Sequence, residues 1–355
     1  MPVRAARLRQ ISSVLATDAV MSTAMAAILN LRVLSEAQVK SLATMREAIE
    51  IQKEAFALVA GGDSLPRLRH WIDRHNDDPP CLVGFLPSFL TGGRGYGVKI
   101  ISDFYGQRGH DLPHMMAIVV VCDGRTGAPR AVMEGGHLTD LRTGATTGLA
   151  VDLLARRDAR VATIFGAGRM AHNQMEAISE VRDLQTVWVC SRTESRARAY
   201  IAEMQAMGGR IPQDIRLAPS PKQCVEASDI VITATTAETP VFDGGDLRPG
   251  TCVVAGGAYR EVDSETIRRA AKVVVDMKEN VHAAVFRQPL AEKVLAEDDI
   301  AELGELVLGR RPGRRTADEI TFCKTEGVPT QDLVTAQYIL RKAEERGIGT
   351  LVPIL

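Results

Sequence analysis

The segment GAGRMA at residues 166–171 has the residue types and spacing of a phosphate-binding turn. It follows the apolar run VATIF, and a helical pattern starts near Met170. Gly166 permits a tight turn, and Gly168 lets backbone N–H groups approach a pyrophosphate without an intervening side chain. The N-terminus of the following helix favours an anion. The segment therefore predicts a dinucleotide site whose contacts are Gly166, Ala167, Gly168, Arg169 and Met170.

The end of the next apolar run, VWVCSRT, indicates which dinucleotide is favoured. Sites for NAD usually place an acid here, because a carboxylate binds the ribose 2′-hydroxyl. This chain has Ser191, Arg192 and Thr193 instead. A hydroxyl and a guanidinium suit a 2′-phosphate. We therefore predict NADP(H), and NAD(H) stays open because Arg192 could stack on the adenine or point to solvent.

Two strand patterns indicate how these residues are positioned. After residue 160, apolar runs of strand length alternate with helical patterns, which is typical of a parallel sheet buried on both faces. Between residues 81 and 136, strand candidates are separated by glycine-rich turns, as in an antiparallel meander. A helix is predicted over 35–60, and Thr139 is the predicted cap of a long helix. The fold class is therefore α/β.

Composition excludes several classes of protein. The 43 Lys and Arg residues balance 44 Asp and Glu residues, which argues against a nucleic-acid partner. No apolar run approaches the roughly 18 residues that cross a bilayer. The six cysteines form no CxxC pair, so neither a zinc site nor a disulfide framework is indicated. We expect a cytoplasmic protein without a metal.

Residues 1–30 differ from the rest of the chain. They contain Arg4, Arg7 and Arg9 but only one acid, Asp18, a composition found in organelle transit peptides. An ordinary N-terminal helix, or a true start at an internal methionine, fits the same residues. We treat 1–30 as an extension and expect folded structure from about Leu31.

Several blocks resemble the ornithine cyclodeaminase/mu-crystallin family. They are GGHLTDLRTGATTGLA, GAGRMAHNQ, SRT, DIVITATTAETPVF and ITFCKTEGVPTQDLVTA. The resemblance implies a substrate-binding and dimerisation domain of residues 31–145 plus 321–355, with an antiparallel sheet. It also implies an inserted Rossmann domain of residues 146–320 that binds NAD(P), and a homodimer. Members of this family act on the α-carbon of amino or imino acids through hydride exchange with a nicotinamide.

The resemblance assigns three cations to the carboxylate of a small imino or amino acid: Arg67, Lys99 and Arg142. All three are predicted catalytic and substrate-binding residues. The alignment around Pro66 is loose, so Arg69 is a second candidate for the first cation. A lysine within an apolar strand is unusual without a partner, and cations beside Lys99 would lower its proton affinity. Lys99 is therefore also a candidate for acid–base chemistry.

Other residues are assigned to the cofactor or to the substrate tail. By resemblance, Thr143 contacts the nicotinamide cofactor. Ala234 and Thr235, at the end of DIVITATT, are predicted cofactor contacts. Tyr259 follows a glycine pair and is predicted to reach the substrate.

The departures from the family decide between reactions. Cyclodeaminases carry an Asp after the glycine pair, whereas this chain has Ala258. Gly84 and Met115 replace two further polar residues. Without those groups, we favour NAD(P)H-dependent reduction of a 2-imino acid, either a cyclic ketimine or the imine of a 2-oxo acid, or its reverse. Two alternatives stay open: an ornithine or lysine cyclodeaminase with bound NAD, and a non-catalytic nucleotide-binding protein like mu-crystallin.

Overall fold

The computed structural model describes residues 29–65, 69–77, 80–104, 112–257 and 259–355. The predictions for residues 1–28, for Arg67 and for Ala258 therefore lie outside the described residues. Within the described ranges, no helix is both long enough and apolar enough to cross a bilayer.

The N-terminal half begins with a strand and two helices and continues as a run of strands. Its elements are β1 (Asn30–Leu34), α1 (Glu36–Lys40), α2 (Met45–Gly61), β2 (Ser64–Leu65), β3 (His70–Arg74), β4 (Cys81–Leu90), β5 (Gly95–Phe104), β6 (Met115–Cys122), β7 (Pro129–Glu134) and α3 (Gly136–Leu154).

The rest of the chain alternates strands with helices. Its elements are β8 (Val161–Phe165), α4 (Arg169–Val181), β9 (Thr186–Cys190), α5 (Glu194–Met207), β10 (Asp214–Leu217), α6 (Pro221–Ala227), β11 (Ile230–Thr233), β12 (Cys252–Ala255), α7 (Ser264–Arg269), β13 (Ala270–Val275), α8 (Arg287–Ala291), β14 (Ala301–Glu302), α9 (Leu303–Val307), β15 (Ile320–Lys324), α10 (Pro329–Arg346) and β16 (Thr350–Pro353).

The first sheet contains the predicted meander. Strands β4 to β7 pair antiparallel in chain order, β2 and β3 both pair with β4, and β1 joins the other edge parallel to β7. The C-terminal strand β16 pairs with β1, so both ends of the described chain meet in this sheet. The predicted antiparallel sheet is confirmed.

The two faces of this sheet carry different residues. Side chains alternate between faces along each strand. The row Leu86, Lys99 and Val119 lies on the inner face, where α10 packs on β4, β5 and β6. Neighbouring positions on the outer face remain partly exposed although they are apolar. The one buried cation of this inner row therefore lies beneath α10.

The second sheet is parallel, as predicted, with the order β10-β9-β8-β11-β12-β15-β13-β14. Strand β15 inserts between β12 and β13, so it belongs to the parallel sheet. The predicted boundary at residue 321 falls inside this strand, and the boundary at 145/146 falls inside α3. Only four residues separate β15 from the start of α10, and the sequence alone did not show that the strand and the helix belong to different parts of the fold.

Helix α3 joins the two sheets and is buried on nearly every side. It packs against α2, α4 and α10. Gly144 permits the closest approach, since a Cβ there would lie 2.5 Å from the Asn173 carbonyl oxygen of α4. The helix that follows the meander is thereby fixed against the helix that follows the glycine turn.

Two helix predictions need correction. The helix predicted over 35–60 is two helices, because Thr44 caps a new one and forms a reciprocal capping box with Glu47. Thr139 is not the cap of α3, which begins one turn earlier, after Gly135. The Thr139 hydroxyl instead donates to the Gly135 carbonyl at 2.6 Å.

Candidate active site

Lys99 lies in the middle of β5 with its ammonium group buried under α10. The residue is 2% exposed. Its Nζ donates to Asp332 Oδ1 at 2.9 Å and to the Thr139 hydroxyl at 3.3 Å. These two partners come from α10 and α3. A buried lysine requires such partners, because desolvation penalises its charged form.

Arg142 reaches the same carboxylate from α3. Its Nε donates to Asp332 Oδ1 at 3.0 Å, so one carboxylate oxygen accepts from both cations. The second oxygen, Oδ2, is buried and has no hydrogen-bond partner among the described residues. The structure thus brings Lys99 and Arg142 together, and it adds Asp332, which the sequence analysis missed. The available signal was an acid in the first turn of the last helix, next to the apolar pair Leu333 and Val334, since an acid that is buried needs a partner.

The electrostatics of this group favour an incoming anion. Burial lowers the pKa of Lys99 to about 8; Asp332 opposes this shift, whereas Arg142 and Arg69 add to it. Burial alone would raise the pKa of Asp332, but Lys99 and Arg142 outweigh it and hold that pKa below its usual value. One carboxylate therefore compensates several cations, and a substrate carboxylate would relieve the remaining repulsion.

Arg69 is the third described cation at this place. Its guanidinium donates to the Gly327 carbonyl in the turn before α10. Arg67, the first choice of the sequence analysis, lies outside the described residues, so its role stays a prediction. Arg69, the second choice, is close enough to Lys99 to lower its pKa.

The glycine turn has the backbone geometry that a dinucleotide requires. Gly166 has φ +114°, and a Cβ there would lie 2.4 Å from the Ala234 carbonyl oxygen. A Cβ on Gly168 would meet nothing within 4 Å, so the space beside this residue is open to a ligand. Gly168 is also the N-cap of α4 and offers no side chain to its first N–H groups. These residues fit a pyrophosphate at the helix N-terminus.

The other residues of the turn point in different directions. Ala167 packs against the core. The Arg169 guanidinium turns toward α3 and the first sheet, where its Nε lies 3.1 Å from Asp140 Oδ2 and its Nη2 lies 3.1 Å from Met115 Sδ. Met170 follows in the first turn of α4 and is half-buried.

Asp140 lies on α3, two residues before Arg142. Burial raises the pKa of Asp140 to about 6, although Arg169 and Arg142 work in the opposite direction. Asp140 therefore connects the glycine turn of the parallel sheet to the helix that carries Arg142. Asp140 was not among the residues predicted from the sequence.

Ser191, Arg192 and Thr193 follow β9 and lie beside the glycine turn, because Gly166 N–H donates to the Cys190 carbonyl at 2.8 Å. Thr193 is the N-cap residue of α5, and its N–H donates to the Ser191 hydroxyl at 3.3 Å. Arg192 is exposed. All three predicted residues are thus positioned at the carboxyl edge of the parallel sheet.

Thr235 is held by a buried acid that the sequence analysis also missed. Glu261 Oε1 accepts from the Thr235 N–H at 2.6 Å and from its hydroxyl at 2.7 Å. Its other oxygen accepts from the Thr233 hydroxyl and from the Gly257 N–H. Ala234 N–H donates to the Phe165 carbonyl at 2.8 Å. Glu261 therefore fixes the ends of β11 and β12.

Two predicted contacts are less constrained. Tyr259 is 45% exposed and follows the same glycine pair, next to Ala258, which lies outside the described residues. Thr143, on α3 beside Arg142, donates its hydroxyl to the Thr139 carbonyl at 2.6 Å. Among the described residues, no cluster of His, Cys, Asp or Glu could hold a metal ion.

This arrangement of two sheets has known relatives. The family model described as the ornithine cyclodeaminase/mu-crystallin family matches residues 30–347. The chain belongs to this family. The family assignment made from the sequence motifs is confirmed.

Relatives in the ornithine cyclodeaminase/mu-crystallin family include imine reductases. The chain is 32% identical to a Delta(1)-pyrroline-2-carboxylate reductase of Bacillus cereus, over 89% of this chain and 98% of the relative. The Delta(1)-pyrroline-2-carboxylate reductase of Thermococcus litoralis, solved with NADH and L-proline, has a TM-score of 0.84 and 36% identity and covers 91% of this chain and 100% of its own. An archaeal alanine dehydrogenase dimer with bound NAD has a TM-score of 0.82 at 26% identity, covering 92% and 100%.

Proposed function

We propose that this family member catalyses the NAD(P)H-dependent reduction of a 2-imino acid to the amino acid. The observation that carries the proposal is the convergence of Lys99 and Arg142 on one buried oxygen of Asp332. A group of buried cations under-compensated by one acid suits a carboxylate ligand. The similarity to reductases that act on pyrroline-2-carboxylate supports a cyclic ketimine as the substrate.

The cations bind and orient the substrate carboxylate. Lys99 and Arg142 donate to it, and Arg69 or Arg67 adds a third contact. Each hydrogen bond between charged groups contributes about 1.5–3 kcal/mol. Holding the carboxylate fixes the adjacent C=N carbon, so the substrate is positioned before reaction.

The cofactor side of the site uses backbone geometry. Gly166, Ala167, Gly168, Arg169 and Met170 form the turn that would hold the pyrophosphate. When bound, a reduced nicotinamide cofactor supplies the hydride for the C=N carbon. Ala234, Thr235 and Thr143 contact the same cofactor, and Glu261 keeps the Thr235 hydroxyl and N–H in place.

The preferred cofactor is NADP(H). Arg192 is exposed beside the glycine turn, and the Ser191 and Thr193 hydroxyls flank it. A guanidinium with neighbouring hydroxyls favours a 2′-phosphate over a free 2′-hydroxyl. NAD(H) remains the alternative, since the similar solved structures contain NADH and NAD.

The enzyme acts as a homodimer through the outer face of the first sheet. One apolar row crosses neighbouring strands of this face in register: Pro87, Val98, Val120, Val132 and Val33. Ile118 and Phe89 lie on the same face and are 44% and 40% exposed. A second copy would cover this surface, and a similar alanine dehydrogenase is a dimer. An Ile118→Asp variant should elute as a monomer in light-scattering chromatography, whereas a dimer that persists would exclude this face.

The function is tested by following the oxidation of NADPH and NADH. Pyrroline-2-carboxylate, piperideine-2-carboxylate and pyruvate with ammonia are the substrates, and ornithine with NAD is the comparison for cyclodeamination. We expect NADPH oxidation with at least one imino acid and no proline from ornithine. Proline and ammonia from ornithine, without turnover of any imino acid, would overturn the proposal.

A further inference from the structure

Glu326 lies between the two parts of the site, in the turn that connects β15 to α10. Its Oε1 is 3.6 Å from the Nζ of Lys324, which is longer than a hydrogen bond. Lys324 is 1% exposed and donates to the carbonyls of Thr325 and Gly257. The Glu326 carboxylate is therefore close to the carboxyl end of β12, where the predicted cofactor contacts lie.

The backbone of this turn is fixed by a buried acid. Asp276, directly after β13, accepts from the N–H groups of Glu326 and Gly327, both at 2.7 Å. Its other oxygen accepts from Asn280 and from the Met277 N–H. Asp276, at the end of a strand of the parallel sheet, thus fixes the backbone of Glu326.

The next residue belongs to the surroundings of the cations. The Gly327 carbonyl accepts from Arg69. Gly327 has φ +82°, and a Cβ on it would lie 2.4 Å from Arg142 Nη1. Glu326 therefore lies one residue from the group that would hold the substrate carboxylate.

The other described acids of the site face cations or backbone N–H groups. Asp332 compensates Lys99 and Arg142, and both oxygens of Glu261 accept hydrogen bonds from the ends of β11 and β12. Glu326 has the Lys324 ion pair but no shorter side-chain contact among the described residues. Glu326 is exposed, whereas the unpartnered Oδ2 of Asp332 is buried and Asp140 pairs with Arg169. Among these acids, the carboxylate of Glu326 is consequently the most accessible to a ligand with a positive charge.

We propose that the carboxylate of Glu326 pairs with the protonated nitrogen of the substrate, so that the site selects cationic imines over neutral analogues. This inference rests on the proposed function. A protonated 2-imino acid carries a negative carboxylate and a positive nitrogen a few ångströms apart. The cations bind the first group and Glu326 binds the second, which sets the orientation of the C=N bond.

The pairing is consistent with the balance of the reaction. Hydride from NAD(P)H adds to the carbon of the iminium, and the C=N π electron pair becomes a lone pair on nitrogen. The resulting amine then takes one proton from water and becomes the ammonium product. Glu326 stays ionised throughout and needs no further oxidant or reductant. Its negative charge favours the protonated, more electrophilic form of the substrate.

The test compares two ligands that differ in one charge. Enzyme loaded with oxidised cofactor is titrated with L-proline and with tetrahydrofuran-2-carboxylate, which has a neutral ring oxygen in place of the charged nitrogen. We expect tighter binding of proline. In Glu326→Gln this preference should fall by about tenfold or more, the effect of one lost charged hydrogen bond, while binding of the neutral ligand is unchanged. Glu326→Asp should keep part of the preference.

Two controls separate a binding role from a structural one. Glu50→Gln removes a carboxylate that pairs with Lys53 at 2.7 Å on the surface of α2, and it should leave both affinities unchanged. The thermal midpoint and the NAD(P)H affinity of Glu326→Gln should match those of the wild type. The kcat/KM for a cyclic ketimine should fall together with the affinity for proline.

The outcomes distinguish this inference from the proposed function. If the wild type reduces imino acids but Glu326→Gln keeps the full preference for proline, the inference is wrong and the function stands. Equal loss of both ligands in Glu326→Gln would also overturn it, because that result indicates a structural role. If the wild type reduces no imino acid, the function fails, and the ligand preference still reports on Glu326.

Discussion

The buried cations Lys99 and Arg142 and the glycine turn both suit anions, but they do so by opposite means. Lys99 and Arg142 are charged side chains that the fold removes from water and compensates with Asp332. The turn at Gly166 and Gly168 works through the absence of side chains, which leaves backbone N–H groups open to a ligand. The first region depends on the charge of a few residues, whereas the second depends on backbone shape. Substitutions should therefore damage the two regions in different ways.

The largest effect is expected for Lys99→Met. This substitution removes a buried charge and replaces the lysine with an unbranched apolar side chain of similar length. The kcat/KM for imino acids should fall by about 10³-fold, since the loss of one partner of a buried, hydrogen-bonded charge pair costs roughly 2–5 kcal/mol of binding. NADPH affinity should be unchanged, because Lys99 belongs to the first sheet. Turnover is followed by NADPH absorbance and cofactor binding by calorimetry.

Lys272→Met, at a half-buried position of β13 in the parallel sheet, is the matched control and should retain activity. If Lys99→Met turned over imino acids at the wild-type rate, Lys99 would have no role in the reaction. Loss of cofactor affinity in the same variant would mean that the two regions are not separable.

Gly168→Ala tests the turn in the same manner. A Cβ at this position meets no protein atom within 4 Å, so the unfolding midpoint should not change. The methyl group would occupy the space through which a pyrophosphate approaches, and NADPH affinity should fall by about 100-fold, as expected when charged hydrogen bonds are lost. Binding is measured by fluorescence titration.

Gly166→Ala provides the contrast. Here the added Cβ would lie 2.4 Å from the Ala234 carbonyl oxygen, and φ is +114°, so stability should fall as well. A Gly168→Ala variant that binds NADPH normally would contradict the assignment of the turn.

The two regions also differ in how far the sequence predicts them. The turn was predicted residue by residue, because its glycines, the preceding strand and the following helix are adjacent in the chain. The cations were predicted by family resemblance, and only Lys99, a lysine within an apolar strand, had local support as well. Asp332, their partner, lies 233 residues from Lys99, and no local pattern reports that distance. The boundary at residue 321, which the resemblance implied, falls inside β15, and the neighbours of this strand, β12 and β13, are both distant from it in sequence.

A smaller effect is expected at the end of β9. Arg192→Ala should weaken NADPH binding by about 10- to 30-fold, the contribution of one charged contact to a phosphate, and should leave NADH binding unchanged. The measurement is the ratio of the two dissociation constants. Arg196→Ala, one turn into α5, is the control. An equal loss of NADH affinity would indicate adenine stacking and not recognition of a 2′-phosphate.

The smallest effect concerns pH and links the two charged partners of the first region. Burial lowers the pKa of Lys99 to about 8, so the ammonium that we propose as the partner of the substrate carboxylate is present below that pH and is lost above it. The kcat/KM should therefore fall as pH rises through about 8. Asp332 raises the pKa of Lys99, and Asp332→Asn should move this alkaline limb to lower pH by roughly one unit, the low end of the effect of a neighbouring opposite charge.

The direction of that shift separates two roles for Asp332. If the acid only filled space, the nearly isosteric Asn would leave the alkaline limb in place while the unfolding midpoint stayed constant. If it compensates the cations, the limb moves even in protein that folds normally, and acidification restores part of the activity by protonating Lys99 again. If the alkaline fall in kcat/KM moved to higher pH in Asp332→Asn, the fall would not be due to the deprotonation of Lys99. Asp140, whose pKa is raised by burial to about 6, titrates on the acid side and leaves this alkaline limb unaffected.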